Sequence, residues 1–162
     1  MAATALLLSC GQAAEQAPPA SRAYTVDSLL NVAEACVGDT LSVRGVVRHT
    51  CRDSGLRCFI ADKDGQTKLR INAPDGGSFQ PDLAGREVVC RVIVRENRVM
   101  AHEVDSALAA IGLREAAEDS RADHCESSRN DLSAKKAYME LKGQDYYSEF
   151  YADALDFGVV GE

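Results

Sequence analysis

Tryptophan is missing from this 162-residue chain, and aromatic residues make up only 6% of it, so a folded core must be built mainly from aliphatic side chains. Long apolar runs are missing too. A membrane-spanning helix needs about 18 or more consecutive apolar residues, and the apolar stretch Ala2–Leu8 falls far short. No phosphate-cradling glycine loop, nucleophile elbow or pair of helical metal-binding histidines is found. Gly76-Gly77 opens no dinucleotide-binding unit. Asp62, Asp64 and Gly65 lack the other ligands of a calcium loop and read as a turn. Without a complete catalytic constellation, the chain reads as a binding module before it reads as an enzyme.

What is present suffices for one domain plus appendages. The 46% hydrophobic share is ordinary for a globular protein. Charge is unevenly spread. The formal net charge is −7, yet Thr40–His102 carries eleven Lys/Arg against seven Asp/Glu, and the rest of the chain seven against eighteen. A mildly basic middle therefore lies between acidic flanks. Such flanks are ordinarily solvated surface, and they repel a phosphate backbone.

The apolar start runs into Leu7-Leu8-Ser9-Cys10-Gly11, as the end of a secretory signal peptide does. Gln12–Arg22 follows, with Ala, Gln, Ser and two prolines, a composition that cannot bury enough surface to fold and reads as a flexible tether. Leu7–Cys10 resembles the bacterial lipobox, with leucine at −3 and a small residue at −1. It departs from that pattern in the bulk of Leu8 and in having no Lys or Arg before Cys10. The resemblance implies lipidation of Cys10 and an N-terminal acyl anchor in a lipid bilayer.

Thr25 is expected to cap a short helix running to about Ala35, with Val26, Leu29, Leu30 and Ala33 on one face and Gly38 as its stop. From Leu41 to Arg48 the apolar period changes to two, which predicts a half-buried strand. Gly45 inside it predicts a bulge or sharp bend. Further strands are expected at Arg57–Asp62, Thr67–Ala73, Arg86–Glu96 and Arg98–Val104. A turn at Asp62–Gly65, a short helical link at Phe79–Ala84 and a turn at Glu96-Asn97 connect them. Asp105–Glu118 then reads as a helix, followed by an acidic loop through Ser128. Asn130 or Asp131 caps another helix, with Ala134, Ala137, Tyr138 and Leu141 on its apolar face. Tyr147, Phe150, Tyr151 and Ala154 keep helical spacing, so the tail is expected to pack on the barrel as a helix.

Five strands, a long bent first one and a link between the third and fourth give the order of an OB-fold. The expected fold is mainly β, a five-stranded OB-like barrel with flanking α-helices and a helical C-terminal tail. The expected divisions are signal and lipobox 1–10, tether 11–24, barrel with its short N-terminal helix 25–104, and helical extension 105–162. Val43-Arg44-Gly45-Val46-Val47-Arg48-His49-Thr50-Cys51, Arg57-Cys58-Phe59-Ile60 and Leu83-Ala84-Gly85-Arg86-Glu87-Val88 carry a further likeness. Through them Thr40–Val104, about 40% of the chain, resembles the OB-like domains of small bacterial lipoproteins of Bacteroidetes type. That resemblance implies a fold and an address in the cell envelope, at the periplasmic face of the outer membrane, and brings no activity with it.

Six cysteines need explaining. With Cys10 given to the lipid, Cys36, Cys51, Cys58, Cys90 and Cys125 form an odd set that cannot all pair within the chain. His49 and Cys51 project from one face if the strand persists that far. The loop Arg52–Leu56 has the turn chemistry to bring Cys58 opposite. Nitrogen and sulfur ligands of this kind suit zinc, iron or copper. His124 and Cys125 complete the set if the acidic loop folds back, giving a metal site drawn from His49, Cys51, Cys58, His124 and Cys125. A Cys51–Cys58 disulfide in an oxidising compartment is the competing reading, and reduced buried thiols are the third. Cys90 reads as core, Cys36 as its partner or as a buried thiol, and His102 as a structural strand histidine.

Three functions remain open. The first is a non-enzymatic envelope module that binds a metal ion or an envelope protein partner. The second is a redox protein or electron carrier using Cys51 and Cys58, with Arg52 and Arg57 lowering a thiol pKa. The third is oligonucleotide or oligosaccharide binding on the barrel face, which fold analogy alone suggests. Phe59 is the sole aromatic on the central strands, and an envelope address disfavours nucleic acid as the natural partner.

Overall fold

A computed structural model describes residues 22–51, 54–116 and 122–161. The lipobox, Cys10 and most of the expected tether lie outside these residues, as do Arg52 and Asp53.

Strand alternation builds the body of the molecule. Thr40–Thr50 (β2) buries Val43, Gly45 and Val47 and exposes Arg44 and Arg48. Arg57–Ala61 (β3), Lys68–Asn72 (β4), Glu87–Met100 (β5) and Tyr146–Val159 (β6) follow. β2 pairs antiparallel with β3 through its C-terminal half and with β5 through Thr40–Val46. β3 pairs antiparallel with β4, β4 parallel with β6, and β6 antiparallel with β5. The order β2-β3-β4-β6-β5 thus returns to β2 and closes a five-stranded barrel of OB type. A two-residue strand, Tyr24–Thr25 (β1), adds parallel to β2. The interior is aliphatic, as a chain without tryptophan requires: Val43, Val47, Ile60, Leu69, Ile71, Val88, Val92 and Val94 pack with Cys58 and Cys90.

Val26–Leu30 (α1) joins this core through Val26 and Leu29. Thr25 caps it as expected, its hydroxyl accepting from the Ser28 N–H at 3.3 Å. The Asp62 carboxylate adds a second cap, accepting from the N–H groups of Val26 at 2.7 Å and Asp27 at 3.0 Å. Asp62 thus sits in a turn, as its sequence suggests, and that turn anchors a helix. α1 ends at Leu30; Ala33–Cys36 is a separate 3-10 turn, and Gly38 takes a positive φ of 90°.

The expected bulge exists, at a different residue. The β2–β3 register skips between Val47 and His49, leaving Arg48 as the extra residue. Gly45 is required by close approach instead. A Cβ there would lie 2.9 Å from the Ala61 carbonyl oxygen and 3.1 Å from Val26 Cγ2.

The C-terminal third differs most from expectation. Glu96-Asn97 makes no turn, because β5 runs unbroken to Met100 and Ala101–Ala116 (α2) occupies most of the expected fifth strand. The fifth barrel strand is β6, in the tail that helical spacing assigned to a helix. Tyr146–Val159 pairs with β5 along its length; its aromatics suit a pleated surface, and the partner that fixes them lies about fifty residues earlier in the chain. Residues Ala122–Ser128, expected as loop, open the helix Ala122–Lys142 (α3). That helix buries Met139, whereas Ala134, Ala137, Tyr138 and Leu141 are exposed. The link before β5 is a single 3-10 turn, Pro81–Leu83. No helix among the described residues is long and apolar enough to cross a membrane.

Candidate functional site

The bulge at Arg48 decides which side chains of the first hairpin share a face. Beyond it, Thr50 is buried opposite Cys58, and exposed His49 lies opposite half-buried Phe59. Cys51 follows the end of β2. Its N–H donates to the Arg57 carbonyl at 2.9 Å, and its sulfur accepts from the Ser54 hydroxyl at 3.4 Å. Cys51 is therefore opposite Arg57, and the strand separates His49 on the outside from Cys58 in the core.

Cys36, Cys58 and Cys90 are free thiols, so neither the Cys51–Cys58 nor the Cys36–Cys90 bridge is formed. Burial pushes the Cys58 thiol up to about 12. Cys90 is driven the same way, first by burial and then by the neighbouring charges of Cys58 and Asp156. Exposed Arg57 does not offset this burial, so Cys58 lacks the low-pKa character of a reactive thiol. Among the described residues no group of three or more His, Cys, Asp and Glu is placed to hold a metal. His124 and Cys125 lie on α3, with side chains outside the described set. His102 is exposed on the first turn of α2 and is no strand histidine.

The outer face of the same hairpin assembles a different constellation. Partners across the strands run His49, Phe59, Arg70, Tyr151 and Arg95 through β2, β3, β4, β6 and β5. The His49 and Phe59 ring centroids are 6.2 Å apart. The Arg70 guanidinium stacks 4.4 Å from the Tyr151 ring centroid, and its shielded Nε has no hydrogen-bond partner. Phe59, Arg70 and Tyr151 of this row line a groove of about 710 Å³ between β4, β6 and α3, whose lining also includes Glu34. β4 pairs with β6 only through Tyr151–Asp153, so the preceding part of β6 splays away and the groove follows that edge.

The two walls differ in charge. On the β6–α3 side, Lys135 joins Asp131 at 2.8 Å and Glu149 at 2.6 Å. Burial opposes the Lys135 charge, but these two carboxylates more than compensate and raise its pKa. The Tyr138 and Tyr147 rings meet edge to face there, 5.3 Å apart. Further along β6, Asp153 is matched by Arg95 and Asp156 by Arg91, each at 2.8 Å. On the β3–β4 side, Arg57, Lys68 and Arg70 make no ion pair among the described residues. Asp131, Glu149, Asp153 and Asp156 thus have cationic partners, whereas Arg57, Lys68 and Arg70 have no carboxylate partner among the described residues.

Sequence reasoning singled out Phe59 and missed Arg70, Lys68 and the role of Tyr151. A signal existed in the two-residue period of Tyr147, Glu149, Tyr151 and Asp153, which competes with the helical spacing of the same segment. Fold and groove together define a mainly β, OB-like barrel with a helix-walled outer groove. Comparison with protein-family models, curated proteins and solved structures returned no match.

Proposed function

We propose that this chain is a non-enzymatic binding module of the cell envelope, anchored through an acylated Cys10, that takes an anionic ligand in the groove between β4, β6 and α3. The observation that carries the reading is Arg70. Its guanidinium lies over the Tyr151 ring and borders the groove without a carboxylate partner among the described residues, and its shielded Nε is an unmet donor. An incoming carboxylate, sulfate or phosphate would give this guanidinium the anionic partner it lacks, and Lys68, two residues away along the same strand face, adds a second positive charge. The lipobox-like segment and the tether support the envelope address. No comparable observation favours the metal or dithiol readings.

Titration of isotopically labelled protein with a sulfated dextran fragment tests the proposal. Backbone resonances of Lys68, Arg70 and Tyr151 should shift, with an affinity that weakens as salt rises. Arg70→Ala should weaken binding by roughly 10- to 100-fold, as loss of a charge-assisted hydrogen bond worth about 1.5–3 kcal/mol implies. Shifts confined to other surfaces, or an unchanged affinity in Arg70→Ala, would refute it.

A further inference from the structure

We infer that the ligand of this groove is the C-terminal segment of a partner protein, added as an extended strand along the open edge of β6 with its terminal carboxylate at Lys68 and Arg70. The inference rests on the groove reading above and names the ligand class. The backbone supplies the first observation. Where β6 begins, the Ala101 N–H donates to the Asp145 carbonyl at 2.8 Å. Hydrogen-bonded pairs alternate along an antiparallel ladder. Tyr147 and Glu149 therefore turn their N–H and C=O groups to β5, and Tyr146 and Ser148 turn theirs away. β4 meets β6 only at Tyr151–Asp153, so the edge at Tyr146 and Ser148 is paired to no strand among the described residues. That edge already takes an amide. The Gln144 side chain donates to the Tyr146 carbonyl at 2.7 Å, where the N–H of a neighbouring strand would stand. An open edge of this kind is a template for an added strand.

The groove beside that edge fits such a strand, whose side chains alternate between two faces. One face meets Leu30 and Phe150, which line the groove and pack against the barrel core, and it suits apolar residues. The other meets Lys135 between Asp131 and Glu149, a net-negative wall that suits neutral or basic residues. Glu34 adds to the negative lining. Only the narrow end is positive. The gap closes where Arg70 pairs with Tyr151, and an added strand must stop there, beside Lys68 and Arg70. A C-terminal segment running parallel to β6, as β4 does, matches this layout. Its backbone is neutral along the acidic wall, and its one fixed charge falls at its end. A polymer charged on every unit would set most of its charges against that wall. The edge from Tyr146 to Phe150 runs about 16 Å at ~3.3 Å per residue, room for about four peptide units.

Resonance titration and hydrogen exchange on the whole chain test the inference with an acetylated hexapeptide, Ser-Thr-Lys-Val-Thr-Val, as free acid and as C-terminal amide. Its valines address the apolar face and its lysine the acidic wall. The acid should shift Arg70, Tyr146, Ser148 and Phe150, saturate, and slow exchange of the Ser148 amide by about tenfold or more. The amide should bind about tenfold more weakly, since it lacks the charge-assisted contact. With Lys68 and Arg70 both replaced by Gln, acid and amide should bind alike, while unchanged β5–β6 resonances show that the variant is folded. Equal binding of acid and amide to the native sequence overturns the carboxylate assignment. Binding that leaves the Ser148 amide unprotected overturns strand addition. A twelve-residue oligothymidylate that binds the same residues more tightly than the acid overturns the peptide class and leaves the groove reading standing. Sulfated dextran shifting Arg70 while the peptide shifts nothing has the same meaning. If neither the peptide nor sulfated dextran shifts the groove residues, both readings fall together.

Discussion

His49 faces away from Cys58 because Arg48 adds one residue to β2 and turns Thr50 inward, opposite Cys58, which alternates inward with Ile60 on β3. A hairpin without that bulge would have kept a strict alternation, and the spacing of His49, Cys51 and Cys58 could not reveal the difference. The consequence is chemical. With Cys58 raised to about 12 by burial and Cys90 raised as well, neither thiol is ionised near neutral pH. Iodoacetamide at pH 7.5 should leave both unmodified in the native protein and label both once urea unfolds it, as peptide mass spectrometry will show. Native labelling of Cys58 would contradict its placement. Gly45 teaches a related lesson: the residue type signalled a special position correctly, but the reason is the Ala61 carbonyl 2.9 Å from its absent Cβ.

At the scale of elements, the β5–β6 ribbon decides the molecule. β6 closes the barrel, fills one wall of the groove and carries Glu149, Asp153 and Asp156, each in an ion pair, and yet its local pattern reads as a helix. Register with β5, across the whole α2–α3 insertion, overrides that pattern. One contact along the ribbon titrates. Glu96 accepts from the Ser148 hydroxyl at 2.6 Å and from Arg98 Nε at 3.2 Å. These bonds, with Ser148 contributing most, hold its carboxyl below the usual glutamate value. A depressed folded-state pKa stabilises the fold above the unfolded value of about 4.3. That stability is lost as pH falls through the lower folded value. Urea midpoints should therefore fall more steeply for the native sequence than for Glu96→Gln between about pH 5 and pH 3. Parallel curves would show that the ribbon contact is energetically silent.

At the scale of the whole molecule, the proposed anchor at Cys10 precedes the barrel in the chain. Acylation at Cys10 predicts that the chain expressed in a bacterial host partitions into the detergent phase of a Triton X-114 extract. Cys10→Ser should move it to the aqueous phase, with the thermal unfolding of the barrel unchanged. Aqueous partitioning of the unsubstituted chain would remove the anchor from the proposal.

The sequence by itself determined the aliphatic core, the first three barrel strands, the cap at Thr25 and the basic character of the central strands. All of these follow from composition or from contacts among near neighbours, where a period of two or a hydroxyl before an apolar run is a sufficient cause. Only the tertiary structure decided the fifth strand and the groove with Arg70 laid on Tyr151. Each depends on segments meeting from far apart in the chain, β4 with β6 and β5 with β6. The local pattern of β6 carries two competing periods, and nothing in it says which distant strand it meets.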